Sequence, residues 1–523
     1  MGGTDLEQAA ARGAEGMSLA HWASVQPDHP AITSPNGDRT FGELNASANR
    51  LVRSLRRRGV TAGDSMVLLC SNRPEFVEAM VAAERSGLRV TPVNWHLTGP
   101  EVAYIAADCG ARVIVADARF ARAAMETAAE VGDLTVRLAV GGDIDGFERY
   151  GDALTPEDGS DIDDPARGST MLYTSGTTGR PKGVHRDQTE PPSAAAAAIY
   201  GYQPATDAHL CTGPLYHAAP LAFSLAAPLL AGTRVVVMDG WDAAETLALI
   251  ERERISHTHM VPTMFHRLLA LPKETRAAAD LSSLRFVLHG AAPCPVDVKQ
   301  RLMDWIGPIV WEYYAATEGA ATVCDPHTWL AHPGTVGRPM VPGLVMVGDE
   351  EAQPLPPDEV GFVWIKAPER GKFRYWGDDS KTEGSYHGDY FTLRDMGYVD
   401  GDGYLFLTDR SADLIISGGV NIYPAEVDAV LLTHPAVGDA GTVGVPHPEW
   451  GEEVLSVIEP AAGVEPSAVL ADELIEWCRS RLAHFKCPRR IEFVAELPRS
   501  DAGKMQRRLL RERYRVNPTS ASR

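Results

Sequence analysis

The chain has 523 residues, 44% hydrophobic and 23% charged, too much material for one core and enough for roughly two to four domains. Its 49 Lys and Arg stand against 70 Asp and Glu, and the net charge of −21 excludes a surface built for nucleic acid or for an anionic membrane. Seven scattered cysteines without metal-ligand spacing imply reduced structural thiols in the cytoplasm, and neither a leader nor an apolar run of about 20 residues marks export or a membrane span.

Residues 1–16 read as a loose N-terminal tail. Thr40 and Glu43 then form a capping box, and Phe41, Leu44, Ala48, Leu51, Val52 and Leu55 recur at helical spacing until Gly59. Arg56, Arg57 and Arg58 fall at the end of that helix, where the dipole favours cations, and read as a solvated helix end rather than an anion site. Short apolar runs at 66–70, 88–93 and 112–116 alternate with helical stretches, one of them opened by a second capping box, Thr98 and Glu101. A short alanine run at 194–198 reads as helix. The alternation returns at 234–238, 257–261, 284–289 and 309–314, which predicts an α/β fold with parallel sheets covered on both faces. Two such subdomains fill an N-terminal body, residues 1–409. From Asp409 the character changes: a β-like run at 414–417, a helix after Pro424, a strand at 437–445 and a helix at 467–482 make a small α+β domain over 410–523.

The stretch from Tyr173 to Val184 reads YTSGTTGRPKGV. Gly176, Gly179 and Gly183 let a backbone approach an anion closely, Thr174, Ser175, Thr177 and Thr178 add hydroxyl donors, and Lys182 adds charge. A Walker loop is excluded because Pro181 precedes the lysine and Gly183 follows it. A flexible surface linker is the alternative. The run resembles the signature loop of the adenylate-forming superfamily, which includes acyl-CoA and aryl-CoA synthetases and closes this loop over the β- and γ-phosphates of ATP. The resemblance implies ATP binding by Thr174, Ser175, Gly176, Thr177, Thr178 and Gly179, with Lys182 catalytic.

Further matches follow in the family's order. Tyr314, Ala315, Ala316, Thr317 and Glu318 follow a predicted strand, at the end where open α/β sheets bind ligands. By resemblance Tyr314 stacks on adenine, Thr317 bonds the α-phosphate and Glu318 holds Mg²⁺; a surface turn is the alternative for Glu318, although a hard cation beside phosphate does want carboxylate oxygen. Ala315 replaces the family's glycine, and its methyl would narrow the acyl channel. Gly290, Ala291 and Ala292 resemble the segment lying against adenine. His217, within PLYHAA, matches the position gating or orienting the substrate carboxylate, and no acidic residue between Pro214 and Phe223 offers to bind an amino acid's amino group. Asp395 matches the ribose-binding position, with Arg394 where glycine is usual. Arg410 matches a second ribose contact, Ala412 the hinge, and Gly418 and Gly419 the pantetheine tunnel. Lys504, in PRSDAGK, matches the lysine that reaches the substrate carboxylate during adenylation.

The resemblance implies an AMP-forming acid:CoA ligase with a mobile C-terminal lid. ATP, Mg²⁺ and CoA would serve it, a hydrophobic monocarboxylic acid, bulky polycyclic or terpenoid ones included, would be its substrate, and self-association as a homodimer is left open. Two rivals are an enzyme that stops at the acyl-adenylate or hands it to a partner protein, supported by Arg394, Ser411 and Ala412, and a non-enzymatic nucleotide binder.

Overall fold

The computed structural model describes residues 2–174, 181–186, 191–410, 413–417, 420–447, 450–500 and 503–515. Ser175, Gly176, Thr177, Thr178, Gly179, Ser411, Ala412, Gly418 and Gly419 lie outside them.

Short apolar runs of four or five residues are what a parallel sheet covered on both faces requires, and the first of them, Ser65–Leu69, is buried at every position. It sits in a six-stranded, wholly parallel sheet in the order 148–149, 136–140, 111–117, 65–69, 89–92, 169–170. The second sheet has nine strands, parallel through its middle (310–316, 286–289, 257–260, 208–211, 234–237, 30–33) and antiparallel at both margins. Side chains from both sheets and from the helices Phe41–Arg57 and Pro74–Ser86 share one core, so the second helix is packed between the sheets. Both capping boxes form; at the first, Glu43 N donates to Thr40 Oγ1 at 3.1 Å and Thr40 N to Glu43 Oε2 at 2.9 Å.

Three features differ from the sequence reading or add to it. Residues 1–16 include a helix, Gly2–Arg12, with Ala9 fully buried in the shared core, so this stretch is not a loose tail. The arginine cluster is a solvated helix end, as expected, and each member meets a carboxylate: Arg56 with Asp164, Arg57 with Glu157, Arg58 with Glu148. Between 345 and 410 lies an antiparallel sheet that no periodicity announced, in which Tyr390–Val399 pairs with Leu405–Arg410.

The C-terminal sheet joins 420–422, 415–417, 451–460, 437–447 and 490–493, covered by the helices Pro424–Leu431 and Ala468–Arg479. Its tip docks on the body. Gly503 has φ 72°, and a Cβ there would stand 2.5 Å from Thr263 Oγ1 and 3.0 Å from Val261 Cγ2, so only glycine fits this approach. No helix among the described residues is long and apolar enough to cross a membrane.

Candidate active site

The strands Phe286–His289 and Val310–Ala316 are parallel neighbours, and their C-terminal ends release Gly290–Ala292 and Thr317–Glu318 at one sheet edge. A Cβ on Gly290 would meet the Tyr313 ring at 2.6 Å, so the backbone itself forms this wall. Ala291 takes φ 68°, a left-handed conformation costing an L-residue about 1 kcal/mol and concentrated at functional sites. Tyr314 Oη donates to Asp395 Oδ2 at 2.8 Å, joining two residues 81 apart in sequence. Glu318 is 8% exposed; Tyr375 Oη donates to its Oε1 at 2.9 Å, and Arg186 Nη2 donates to the Thr317 and Glu318 carbonyls at 3.1 and 2.6 Å.

The two sides of the Gly/Thr-rich loop form an antiparallel hairpin, Leu172–Thr174 with Lys182–His185, Lys182 facing Thr174 across it. Lys182 Nζ pairs with Asp378 Oδ2. Asp378 also accepts from Lys381 N at 2.9 Å, capping the short helix Asp379–Ser385. The Lys381 ammonium lies 4.2 Å from the Tyr375 ring centroid, and burial together with Lys182 pushes its pKa down. An acidic protein thus gathers positive charge beside Glu318, as polyphosphate requires.

Behind this rim a cavity of about 780 Å³ runs between the two parallel sheets. His217, Phe223, Tyr313, Ala315, Thr317 and Lys504 line it. His217 lies just ahead of a π-helical segment, Pro220–Ala226, of the kind frequent at functional sites. That segment carries Phe223, whose ring centroid is 4.6 Å from that of Tyr313. Lys504 arrives from the C-terminal sheet on a loop fixed by Arg499, which clamps Asp439 at 2.5 and 2.7 Å and donates to the Gly503 carbonyl at 2.7 Å.

The structure therefore brings Lys504, Thr317, Ala315, Ala291 and His217 to one cavity and Tyr314, Asp395, Glu318 and Lys182 to the adjoining rim. Gly290 and Ala292 flank Ala291. Arg410 closes its strand opposite Asp395. Arg394 takes φ 62°, which explains the glycine usual there, and its guanidinium lies over Phe362 and 3.5 Å from Glu350, on the surface. Tyr375, Asp378 and Arg186 escaped the sequence reading, and Arg499 stood within PRSDAGK without a role. Tyr375 and Asp378 lie 57 and 196 residues from their partners Glu318 and Lys182, beyond any local pattern.

Glu318 suits Mg²⁺. Among the described residues no group of three or more His, Cys, Asp and Glu could hold a metal by itself, so the ion's remaining ligands would come from phosphate and water, as is usual for Mg²⁺.

Comparison with known proteins supplies the family. The model of the AMP-binding enzyme matches residues 19–373, and that of the AMP-binding enzyme C-terminal domain matches 426–504. A feruloyl-CoA synthase from an Amycolatopsis species is 34% identical over 505 residues, covering 95% of this chain and 99% of that protein. A 2-succinylbenzoate–CoA ligase from Bacillus velezensis is 33% identical over 498 residues, covering 94% and 97%. The crystal structure of the anthranilate CoA ligase AuaEII with anthranoyl-AMP superposes with a TM-score of 0.86 at 25% identity, covering 96% of this chain and 97% of that one. The chain belongs to the AMP-binding enzyme family and is an acid:CoA ligase, which activates a carboxylic acid with ATP as the acyl-adenylate and then transfers the acyl group to CoA.

Proposed function

We propose that the substrate is a hydrophobic monocarboxylic acid, held in the cavity between the sheets with its carboxylate at Lys504 and Thr317. The observation that carries this reading is that Lys504 lines the same cavity as Thr317 and His217 although the loop bearing it comes from the C-terminal domain. The predominantly aliphatic and aromatic lining suits an apolar acid, and the volume suits a bulky one. The nucleophile in the first step is the substrate's own carboxylate, so alignment and charge neutralisation are what the protein must supply. Lys504 neutralises the carboxylate and the departing oxygen, Lys182 exchanges Asp378 for phosphate oxygens, and Thr317 fixes the α-phosphate. Asp395 and Arg410 hold the ribose, Asp395 oriented by Tyr314. Glu318, oriented by Tyr375, is the residue that would hold Mg²⁺, and the ion would offset phosphate charge there.

In the second step, residues 410–523 turn about Ala412, withdrawing Lys504 and bringing Gly418 and Gly419 over the pantetheine path. A hinge needs rotatable backbone rather than a particular side chain, so alanine suffices. All seven cysteines are free thiols, which supports the cytoplasmic reading.

The test is a panel of carboxylic acids assayed separately for pyrophosphate and for CoA ester. The reading expects both products from apolar acids. Pyrophosphate and AMP without thioester would instead support release of the adenylate or its delivery to a partner protein.

A further inference from the structure

The cavity is not apolar throughout. It follows one stripe of the helix Pro74–Ser86, where Val77, Met80, Val81 and Glu84 recur at helical spacing over ~10 Å of axis. The stripe ends in a carboxylate. Gly168 N donates to the Glu84 carbonyl at 2.7 Å and Ala166 N to the Arg85 carbonyl at 3.0 Å, which lays the segment carrying Arg167 and Ser169 along the helix end. Ser18, Glu84, Arg167 and Ser169 all line the cavity there. Ser169 stands in the six-stranded sheet, Glu84 on the helix beside it and Arg167 just ahead of Ser169, whereas Thr317 and His217 lie in segments that follow strands 310–316 and 208–211 of the nine-stranded sheet.

No group among the described residues donates a hydrogen bond to the Glu84 carboxylate; burial pushes its pKa up, while the charges of Arg167 and Arg85 oppose that. Ser18 Oγ likewise has no hydrogen-bond partner. Glu84 is only partly buried and Ser18 Oγ is enclosed; an acceptor that lines a cavity without a protein donor is open to a ligand that brings one. The adenylation chemistry uses none of these groups.

We propose that this end of the cavity is a recognition site for a hydrogen-bond donor, a hydroxyl or an amino group, carried by the acid substrate far from its carboxylate. The inference rests on the adenylation reading, which fixes the carboxylate end at Lys504 and Thr317. The substrate is then an apolar acid with a polar tail group, its two ends read by two different sheets. Sites built to bond a substrate hydroxyl reject analogues lacking it, because the protein's own polar group is left unpaired.

The experiment compares kcat/KM for pyrophosphate release across matched medium-chain acids: the parent acid, its ω-hydroxy form and its ω-amino form. Wild-type enzyme is expected to prefer one of the substituted acids over the parent by at least ~10-fold. Glu84→Leu should abolish or invert that preference. Glu84→Gln, which keeps the shape, separates the two donors: it retains a preference for a hydroxyl, which an amide can accept, and loses one for an ammonium, which needs the charge. If wild type shows no preference, or both variants leave it unchanged while pyrophosphate is still released, the inference is overturned and the adenylation reading stands. If no acid yields pyrophosphate, the adenylation reading fails and takes the inference with it.

Discussion

The rim and the cavity are built by different means. At the rim, Tyr314, Glu318 and Lys182 are each held by a side chain from a distant stretch: Asp395, Tyr375 and Asp378. The cavity is walled by strand ends, a π-helical segment and one buried helix, and packing rather than hydrogen bonding sets most of its shape. Polar groups at the rim must share or exchange partners when nucleotide binds, so substitutions there should change rates and ligand requirements. Substitutions in the cavity wall should change which acid is accepted.

The largest effect expected at the rim is from Glu318→Gln, which removes the charge proposed to face Mg²⁺ and should slow pyrophosphate release by ~100-fold. A loss confined to particular acids would move Glu318 from the rim to the cavity. Tyr375→Phe keeps the ring and deletes only the hydroxyl 2.9 Å from Glu318, so the Mg²⁺ concentration for half-maximal rate should rise by ~10-fold. Titration of Mg²⁺ at saturating ATP checks this, and an unchanged requirement would make the contact merely structural. Arg499→Ala loosens the loop bearing Lys504 and should lower adenylation by ~10-fold, with partial recovery in Arg499→Lys and a smaller effect on thioester formation from preformed adenylate.

A separate effect, on stability, belongs to the sheet behind both regions. His209, His257, His259 and His289 are buried on three neighbouring strands, and burial lowers the pKa of each, that of His259 to about 3. For His257, the charges of Asp207 and Arg285 oppose each other; His259 also faces His289, and His289 faces Glu312 and Lys299. The native state therefore binds fewer protons than the unfolded chain. Stability is fully present above the unfolded value near 6.5 and is lost as pH falls toward the folded values, by about 1.4 kcal/mol per unit for each such histidine. Thermal unfolding midpoints measured from neutral to mildly acid pH should fall accordingly, and a flat profile would contradict it.

What could be read in the sequence follows the same division. Parallel strands were legible because each is a short apolar run, and both capping boxes because their chemistry is local. Lys182, Thr317, Glu318 and Lys504 stood in recognisable loops. Of their positioning partners, Tyr375 and Asp378 carry no pattern until folding brings them close, and Arg499, though inside PRSDAGK, shows its pairing with Asp439 only in the fold. The helix Gly2–Arg12 was missed because two glycines open it and only small residues such as Ala9 anchor it in the core. Arg394 was legible as a departure from glycine, but only its backbone angle explains why glycine is usual there.

Lys504 is proposed to act from the C-terminal domain on the first half-reaction and to be withdrawn for the second. Wild type and Lys504→Ala should be compared for pyrophosphate release from acid and ATP, and for CoA-ester formation from preformed acyl-adenylate. A loss of at least ~100-fold is expected in the first and a near wild-type rate in the second. Pyrophosphate release close to that of wild type would contradict it.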